Sequence, residues 1–436
     1  MHTAVTRRSF LATSAGTALV PSLWGASPAT GKRLRVAAVY TVLRHRSHAQ
    51  VILENFLQPY LFNGEIVDPG MDVVSFYADQ LSPEGDLTEE IAQRFKIPVH
   101  KTIRDALTVG GKALACDAVL LIGEHGEYPV NTLGQVEYPR KRFFDEVVAV
   151  MRESNRFVPI FNDKHLSYRW DWSKAMHDTA RKHHIPLMAG SSVPLGQRVP
   201  AMEIPANAEI EEILSIHGGS REGYDFHAFE VLQSLVEGRK GGETGISSVE
   251  ILIGDAVWKA GDAGRWPVAL AREAMAAQLG EKFVDLRKST AHEKAVEPHI
   301  LLLTYKDGLK ASVLKLGQSS DRWNVGVKLR NEAKPRNLRI FNGPWGNRNL
   351  FMALSHAIQS FFRTGEEPYP VERTLLASGV VDAAMHSAAE GKAIPTPHLE
   401  MSYAAKDFRA FRETGASWTI VEKRVEDKNL HTLGQK

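Results

Sequence analysis

Three acid–histidine pairs recur along the chain, at Glu124-His125, Asp163-x-His165 and Asp225-x-His227. In an extended segment, side chains two residues apart point to the same side, so Asp163 and His165 can both face one cavity. If the pairs converge, their oxygen and nitrogen atoms suit a divalent metal, with Asp163, His165 and His227 as the ligand set. The alternative is three unrelated pairs, which a chain with 17 histidines readily contains. A metal is possible on this evidence but is not the favoured interpretation.

Aromatic and basic residues follow directly on the Asp163 motif, at Arg169, Trp170 and Trp172. An indole face can stack on a sugar ring while neighbouring polar groups fix the hydroxyls, so a small carbohydrate is the expected ligand. The alternative for both tryptophans is packing at the start of a helix. Weaker candidates of the same kind are Trp266, Trp323 and Trp345.

The balance of charges argues against a nucleic-acid-binding surface. The 436 residues contain 53 Lys and Arg against 51 Asp and Glu, a formal net charge of +2, whereas nucleic-acid-binding domains are usually strongly basic. The single cysteine, Cys116, lies in an apolar run and is expected to be a buried hydrophobic residue rather than a nucleophile.

The N-terminus carries a twin-arginine export signature, Thr6-Arg7-Arg8-Ser9-Phe10-Leu11-Ala12, followed by a short apolar stretch and small residues. We therefore expect residues 1–30 to be a signal peptide and the mature protein to be periplasmic or otherwise exported. The apolar stretch is short for a membrane anchor, so no membrane association is expected after the signal is removed. Export in the folded state is weak evidence for a bound nucleotide or metal.

Strands and helices alternate over residues 31–195, and the strands are continuous apolar runs. This pattern predicts a Rossmann-like α/β domain with a parallel sheet covered on both faces. Over residues 196–436 most strands follow one another without helices, and Lys306-Asp307-Gly308 reads as a hairpin turn. The pattern predicts an α+β domain with an open, mainly antiparallel sheet, interrupted by a helix near Asp225 and closed by helices that return to the first domain.

Two features of this predicted fold indicate contact with a ligand or with another copy of the chain. The polar stretch 126–140 has no counterpart in a minimal fold and is either a lid or an oligomer contact. An open sheet would expose Val, Leu and Trp side chains, so a homo-oligomer is expected.

The chain resembles the family of glucose–fructose oxidoreductase, inositol dehydrogenase and rhizopine-catabolism proteins. The stretches that carry the resemblance are Val36 to Ala49 with His48, Ala78-Asp79, Asn162-Asp163-Lys164-His165, Thr179 to Gly190, and Leu354 to Lys392.

The resemblance implies catalytic roles for three residues. Lys164 occupies the place of the family lysine near the reaction centre, and it can accept a proton only if its pKa is lowered. His227 matches the family histidine on the helix of the second domain. Gly223 stands where the family has an acid, and Asp225 is the acid that we expect to take its catalytic role. Further expected substrate contacts are His165, Arg169, Trp170 and Glu230.

The resemblance also implies a nicotinamide cofactor, although the phosphate-binding turn has no glycine. In the turn Tyr40 to Ser47, the side chains of Arg44, His45 and Arg46 could hold the diphosphate, and Ser47 could cap the helix. Asp79, at the end of the second strand of the domain, would accept bonds from the ribose and slightly favours NAD over NADP. The expected cofactor contacts are Tyr40, Thr41, Arg44, His45, Asp79, Glu124, His125 and Lys164.

Three functions follow from these observations. The first is an exported NAD(P)-dependent oxidoreductase acting on CH–OH groups of a sugar or sugar derivative. The second is a metal-dependent or cofactor-free lyase, hydrolase or isomerase of carbohydrates on the same scaffold, motivated by the missing glycines and the acid–histidine pairs. The third is a carbohydrate-binding protein without catalysis.

Overall fold

A computed structural model describes residues 32–280, 285–287 and 296–427. The predicted export signal, residues 1–30, lies outside the described residues. Within the described ranges, none of the helices is long and apolar enough to cross a membrane.

The first sheet is parallel and has six strands in the order β5-β4-β1-β6-β7-β8. Its central strand β6 is buried along its whole length, as expected when helices cover both faces of a parallel sheet. The strands are β1 (Leu34–Tyr40), β4 (Met71–Ala78), β5 (Val99–His100), β6 (Ala118–Ile122), β7 (Ile160–Asp163) and β8 (Leu187–Gly190), and a separate hairpin is formed by β2 (Tyr60–Phe62) and β3 (Glu65–Val67). The predicted α/β organisation is confirmed.

Helices connect these strands and cover the sheet. They are α1 (His48–Leu57), α2 (Thr88–Phe95), α3 (Ile103–Thr108), α4 (Arg140–Glu153) and α5 (Trp170–Lys182). Ser47 caps α1 as predicted, because its side chain accepts a hydrogen bond from the backbone of Gln50. Cys116 is buried in the core, and burial raises the pKa of its thiol to about 12, which agrees with the expected structural role.

The second sheet has eight strands in the order β16-β11-β12-β13-β10-β14-β15-β9. Its strands are β9 (Gln197–Val199), β10 (Ile210–His217), β11 (Ile246–Ile253), β12 (His299–Tyr305), β13 (Lys310–Lys315), β14 (Trp323–Leu329), β15 (Arg336–Phe341) and β16 (Ile394–Pro395). One pair, β10 with β13, is parallel, so the sheet is mixed rather than wholly antiparallel. After β10 a helical crossover leads to β11, which runs in the same direction as β10. The chain then reverses twice, from β11 to β12 and from β12 to β13, so β13 again runs parallel to β10.

The remaining helices are α6 (Gly223–Val236), α7 (Asp255–Asp262), α8 (Val268–Leu279), α9 (Asn347–Thr364), α10 (Val371–Glu390) and α11 (Trp418–Val421). The sequence patterns did not predict α7 and α8. These two helices pack Val257, Leu270 and Ala274 against apolar residues of β10, β12 and β13. These helices therefore cover part of the sheet face that was expected to be exposed, and the homo-oligomer stays a prediction.

The last two long helices pack back onto the first sheet and its helices. In α9, Arg348 forms a buried ion pair with Glu54 of α1. In α10, the Oγ1 atom of Thr374 lies 3.1 Å from the backbone carbonyl oxygen of Ala189 at the end of β8. These contacts hold α9 and α10 against α1 and the carboxyl end of β8.

Candidate active site

A cavity of about 800 Å³ lies at the carboxyl ends of β1, β6 and β7, where ligands bind in open α/β sheets. The first sheet contributes Glu124, His125 and Lys164 to its wall, and the start of α6 contributes Glu222 and His227. Two of the tryptophans singled out in the sequence, Trp323 and Trp345, also line it.

Lys164 follows β7 and belongs to a buried group of three charged side chains, with the acid Glu124 between Lys164 and the base Arg140. Its Nζ atom donates to Oε1 of Glu124 at 2.8 Å, and Arg140 binds the other oxygen of the same carboxylate. Burial opposes both charges, but Lys164 and Arg140 hold the pKa of Glu124 well below its usual value, and Glu124 raises the pKa of Lys164. Lys164 is therefore a cation, and the proton-acceptor role predicted for it, which requires a lowered pKa, does not fit this environment.

Gly223 lies directly against the same amine. A Cβ atom built on Gly223 would lie 3.3 Å from Nζ of Lys164. The position at which the resemblance expects an acid therefore faces the lysine, and here the carboxylate that binds the lysine comes from Glu124.

Glu222, which the sequence analysis missed, places a carboxyl group on the cavity wall in addition to those of Glu124 and Asp321. It caps α6, since its side chain accepts a hydrogen bond from the backbone of Asp225. Its Oε1 atom is 3.6 Å from Nε2 of His165, and burial raises its pKa to about 7. A carboxyl group that titrates near neutral pH can both accept and release a proton. The available signal was the Glu222-x-x-Asp225 capping box at the predicted helix start.

Asp225 is buried behind this wall and does not line the cavity. Its Oδ1 atom accepts from Nε2 of His217 at 2.9 Å and from Nε2 of His299 at 2.7 Å. This trio is the one His/Asp group within the described ranges that is close enough to hold a metal. Nδ1 of His217, however, accepts the Gly219 N–H at 3.3 Å, so its Nε2 carries a proton and donates it to Asp225. The trio anchors α6, and the predicted catalytic role of Asp225 is corrected.

The alternative metal set Asp163, His165 and His227 does not assemble. Asp163 accepts a hydrogen bond from Nδ1 of His48 at 2.6 Å, and His165 is buried behind the cavity wall. His227 lines the cavity, with its Nδ1 atom 2.6 Å from the Ser191 hydroxyl. Burial and the nearby Lys164 charge lower the pKa of His227 well below its usual value, so its ring is neutral.

The N-terminus of α1, the usual place for a diphosphate, is occupied by a side chain. The backbone N–H of His48 is directed at Nδ1 of His125, at 3.4 Å. The two imidazole rings are in edge contact with centroids 5.0 Å apart. The His125 side chain therefore stands where a phosphate group would accept a bond from the helix.

The turn after β1 is sealed by the chain that follows β6. The hydroxyl of Thr41 donates to the backbone carbonyl of Glu124 at 2.5 Å. Val42 is buried, and a Cβ atom on Gly126 would lie 3.4 Å from its Cγ1 atom. The Gln80 side chain exchanges two hydrogen bonds, of 2.8 and 2.9 Å, with the backbone of the residue after Gly126. The turn Tyr40 to Ser47 contains no glycine, so its backbone has no position that leaves room for a close approach of phosphate.

Asp79, the predicted ribose ligand, already has three partners. Its Oδ1 atom accepts from the Tyr77 hydroxyl at 2.7 Å and from Arg142 at 2.5 Å, and its Oδ2 atom accepts from the Tyr128 hydroxyl at 2.7 Å. Burial opposes its ionisation, but these donors lower the pKa of Asp79. Both of its oxygen atoms are engaged by the protein.

A dinucleotide therefore does not fit the residues as they are arranged. We call residues 124–142 the groove segment, because His125, Gly126, Tyr128 and Arg142 occupy the three places that would bind phosphate and ribose. The predicted contacts that do not line the cavity are Tyr40, Thr41, Arg44, His45 and Asp79. Tyr40 and Thr41 are buried, whereas Arg44 and His45 are exposed at the outside of the turn.

The predicted substrate contacts beyond Lys164 also lie outside the cavity. Arg169 is exposed and pairs with Asp171, because it ends the loop that enters α5. Trp170 packs against Gly379, where a Cβ atom would lie 2.8 Å from its ring. Glu230 is buried and accepts a bond from Thr374 at 2.6 Å. These three positions point into the protein or into solvent, because no residue of α5 lines the cavity and α6 presents Gly223, Tyr224 and His227 to it.

Comparison with known proteins gives a fold but no close relative. No protein-family model and no curated protein sequence matches the chain. Myo-inositol 2-dehydrogenase from Lactobacillus plantarum is 12% identical with a TM-score of 0.51, over 84% of this chain and 99% of that one. GenD2 of gentamicin A biosynthesis, in complex with NAD, is 12% identical with a TM-score of 0.55, over 86% and 99%.

A third solved structure contains both a cofactor and a substrate. Myo-inositol dehydrogenase from Lactobacillus casei, in complex with NAD(H) and myo-inositol, is 14% identical with a TM-score of 0.52, over 86% of this chain and 99% of that one. All three matches cover both sheets of this chain, at identities that establish the fold alone. The chain therefore has the fold of the inositol dehydrogenases and of the glucose–fructose oxidoreductase family, as its sequence resemblance predicted.

Proposed function

We propose that the chain is an enzyme that moves a proton at a hydroxyl-bearing carbon of a sugar derivative or polyol, and that it does so without a dinucleotide. One observation carries this proposal. The cavity is lined by a cationic lysine, a neutral histidine and a carboxyl group that titrates near pH 7, while the groove segment occupies the positions that a dinucleotide needs.

Each of these groups has a separate task in such a reaction. Lys164 donates hydrogen bonds to the substrate oxygen that gains negative charge, and its ion pair with Glu124 fixes the amine in place. Glu222 accepts the proton and returns it. The neutral ring of His227 orients a hydroxyl group, and the half-buried Trp345 supplies a flat apolar surface for a sugar ring. Trp323 is buried and stacked on Tyr224, so it supports the wall from behind.

The second candidate is an NAD(P)-dependent oxidoreductase on CH–OH groups. The fold favours it, because solved structures of this fold bear the names of inositol dehydrogenases and two of those described above contain NAD. In this candidate the groove segment must leave the turn and Asp79 before the cofactor binds. Asp79 would then slightly favour NAD over NADP.

Titration calorimetry with NAD⁺, NADH, NADP⁺ and NADPH separates the two candidates. We expect no binding of any of the four at millimolar concentration, and no dinucleotide in the mass spectrum of material released from natively purified protein. A Tyr128→Phe variant frees one oxygen of Asp79. It therefore tests whether the groove segment is what prevents a dinucleotide from binding. Micromolar binding to the wild type would make the oxidoreductase the correct assignment.

We further propose that the protein is exported through the twin-arginine pathway. The support is the arginine pair Arg7-Arg8 with the apolar and small residues that follow it. Replacing both arginines by lysine should leave the protein in the cytoplasmic fraction, whereas the unaltered chain should appear in the periplasmic or extracellular fraction. Equal distribution of the two proteins would contradict export by this route.

A further inference from the structure

Arg221 lines the cavity in the loop immediately before α6. Its guanidinium forms no hydrogen bond or ion pair within residues 32–280, 285–287 and 296–427, and its Nε atom is shielded from solvent. The other cations of the wall are paired, Lys164 with Glu124 at 2.8 Å and Arg46 with Glu426 at 2.7 Å. Arg221 is thus the cation at the cavity, among the described residues, that has no anion.

The Arg221 side chain is half-buried, and a guanidinium without a protein partner is stabilised by an anion that binds its planar donor edge through two parallel hydrogen bonds. The loop that holds Arg221 lies directly against the lysine, since a Cβ atom on Gly223 would be 3.3 Å from Nζ of Lys164. The half-buried Trp345 and hydroxyl-bearing side chains in the same wall suit the uncharged part of a sugar. The cavity is therefore built for a ligand that is polyhydroxylated at one end and anionic at the other.

We propose that the substrate is a sugar acid whose carboxylate is bound by Arg221. This inference rests on the proposed function, and the chemistry of that function favours a carboxylate over other anions. A C–H bond in a sugar is too weak an acid for a carboxylate base unless the adjacent carbon bears an electron-withdrawing group. A nicotinamide would create that group as a transient ketone, whereas a substrate carboxylate already provides it.

The step is balanced without an oxidant or a reductant. The Glu222 carboxylate takes the proton from the carbon next to the substrate carboxylate, and the C–H electron pair forms the C=C bond of an enediolate. The added negative charge lies on carboxylate oxygens that face Arg221 and Lys164. Return of the proton from Glu222 to the same face restores the substrate, and its return after the planar enediolate has turned over in the cavity gives the epimer. Loss of an oxygen substituent from the next carbon, protonated by Glu222 as it leaves, gives an unsaturated acid and an alcohol.

Calorimetry with matched acid and neutral probes tests the substrate class. The probes are glucuronate, galacturonate and gluconate, with glucose, galactose and glucuronamide as uncharged counterparts. We expect at least one acid to bind at least 10-fold more tightly than its counterpart. Arg221→Gln should remove that preference, Arg221→Lys should keep part of it, and the exposed Arg330→Gln should not change it. Equal binding of acids and counterparts, no binding of any acid at millimolar concentration, or an unchanged preference in Arg221→Gln would overturn the proposal.

Proton exchange in D₂O, followed by NMR, separates this inference from the proposed function. The wild type should replace the hydrogen next to the carboxylate of the bound acid with deuterium. Preferential binding of acids without exchange would uphold the sugar-acid site and overturn the proton-transfer function. Exchange in a neutral sugar with no preference for acids would uphold the proton-transfer function and overturn the sugar-acid site.

Discussion

Glu222→Gln is expected to reduce the rate of proton exchange, or of turnover once a substrate is known, by about 10²–10⁴-fold, the usual contribution of a general base. Glutamine keeps the size of the side chain and an oxygen that can still cap α6, so the fold should survive. Substrate binding should change little, because Lys164 and Arg221 are intact. The measurement is the rate at saturating sugar acid, with the melting temperature as a check on folding.

The pH profile gives this prediction a specific signature. The base form of Glu222 is the ionised one, and burial raises its pKa to about 7. The wild-type rate should therefore rise as pH increases through about 7 and level off above it, and Glu222→Gln should lose this rise. If the variant keeps both the rate and the profile, another group is the base.

Glu367→Gln is the matched control for this variant. Glu367 also accepts a backbone N–H at the start of a helix, from Val371 at 3.1 Å, and burial also raises its pKa. It does not line the cavity. Its replacement should cost stability similar to that lost in Glu222→Gln and should leave the exchange rate and its pH profile unchanged.

Arg373→Met is expected to destabilise the fold by about 3–5 kcal/mol, the usual result of breaking a buried ion pair. Arg373 of α10 is fully buried and bonds both oxygens of Glu237, one of them through Nε at 2.9 Å. Tyr403 also donates to that carboxylate, at 3.0 Å. Removing the arginine leaves a buried carboxylate with no compensating cation. The measurement is the free energy of unfolding from urea titration.

The double variant Arg373→Met, Glu237→Leu distinguishes loss of the charge pair from loss of packing. With both charges removed, the apolar replacements should recover much of the stability lost in the single variant, because no unpaired charge remains. The aromatic rings of Tyr369 and Phe408, whose centroids lie 4.6 Å from the guanidinium carbon, can pack against methionine. A double variant that is less stable than Arg373→Met would show that packing, rather than charge, dominates at this site.

Local patterns were sufficient to predict most of the fold. Continuous apolar runs such as Ala118–Ile122 predicted buried parallel strands, and the turn at Lys306-Asp307-Gly308 predicted the hairpin of β12 and β13. Helix α8 was missed because it is rich in alanine, which weakens the contrast between its apolar and polar faces. The parallel β10 and β13 pair was missed because it depends on the route of the chain between two distant strands.

The candidate site was predictable where one strand end or one helix face determines a position. Lys164 and Glu124 follow strands whose ends meet at one edge of the sheet, and both line the cavity. Asp225 was misassigned because its partners His217 and His299 come from other strands. Arg221 and Glu222 were missed because their placement depends on a loop in which Glu222 has φ +64°, a conformation that neither side-chain pattern nor propensity predicts.

The groove segment belongs to the same chain as the groove that it fills, so it acts as a tethered competitor whose local concentration is on the order of millimolar. A population closed in about 99% of molecules would weaken the apparent affinity of any dissolved occupant about 100-fold. Mutations that loosen the tether should therefore strengthen nucleotide binding without adding a single contact to the nucleotide.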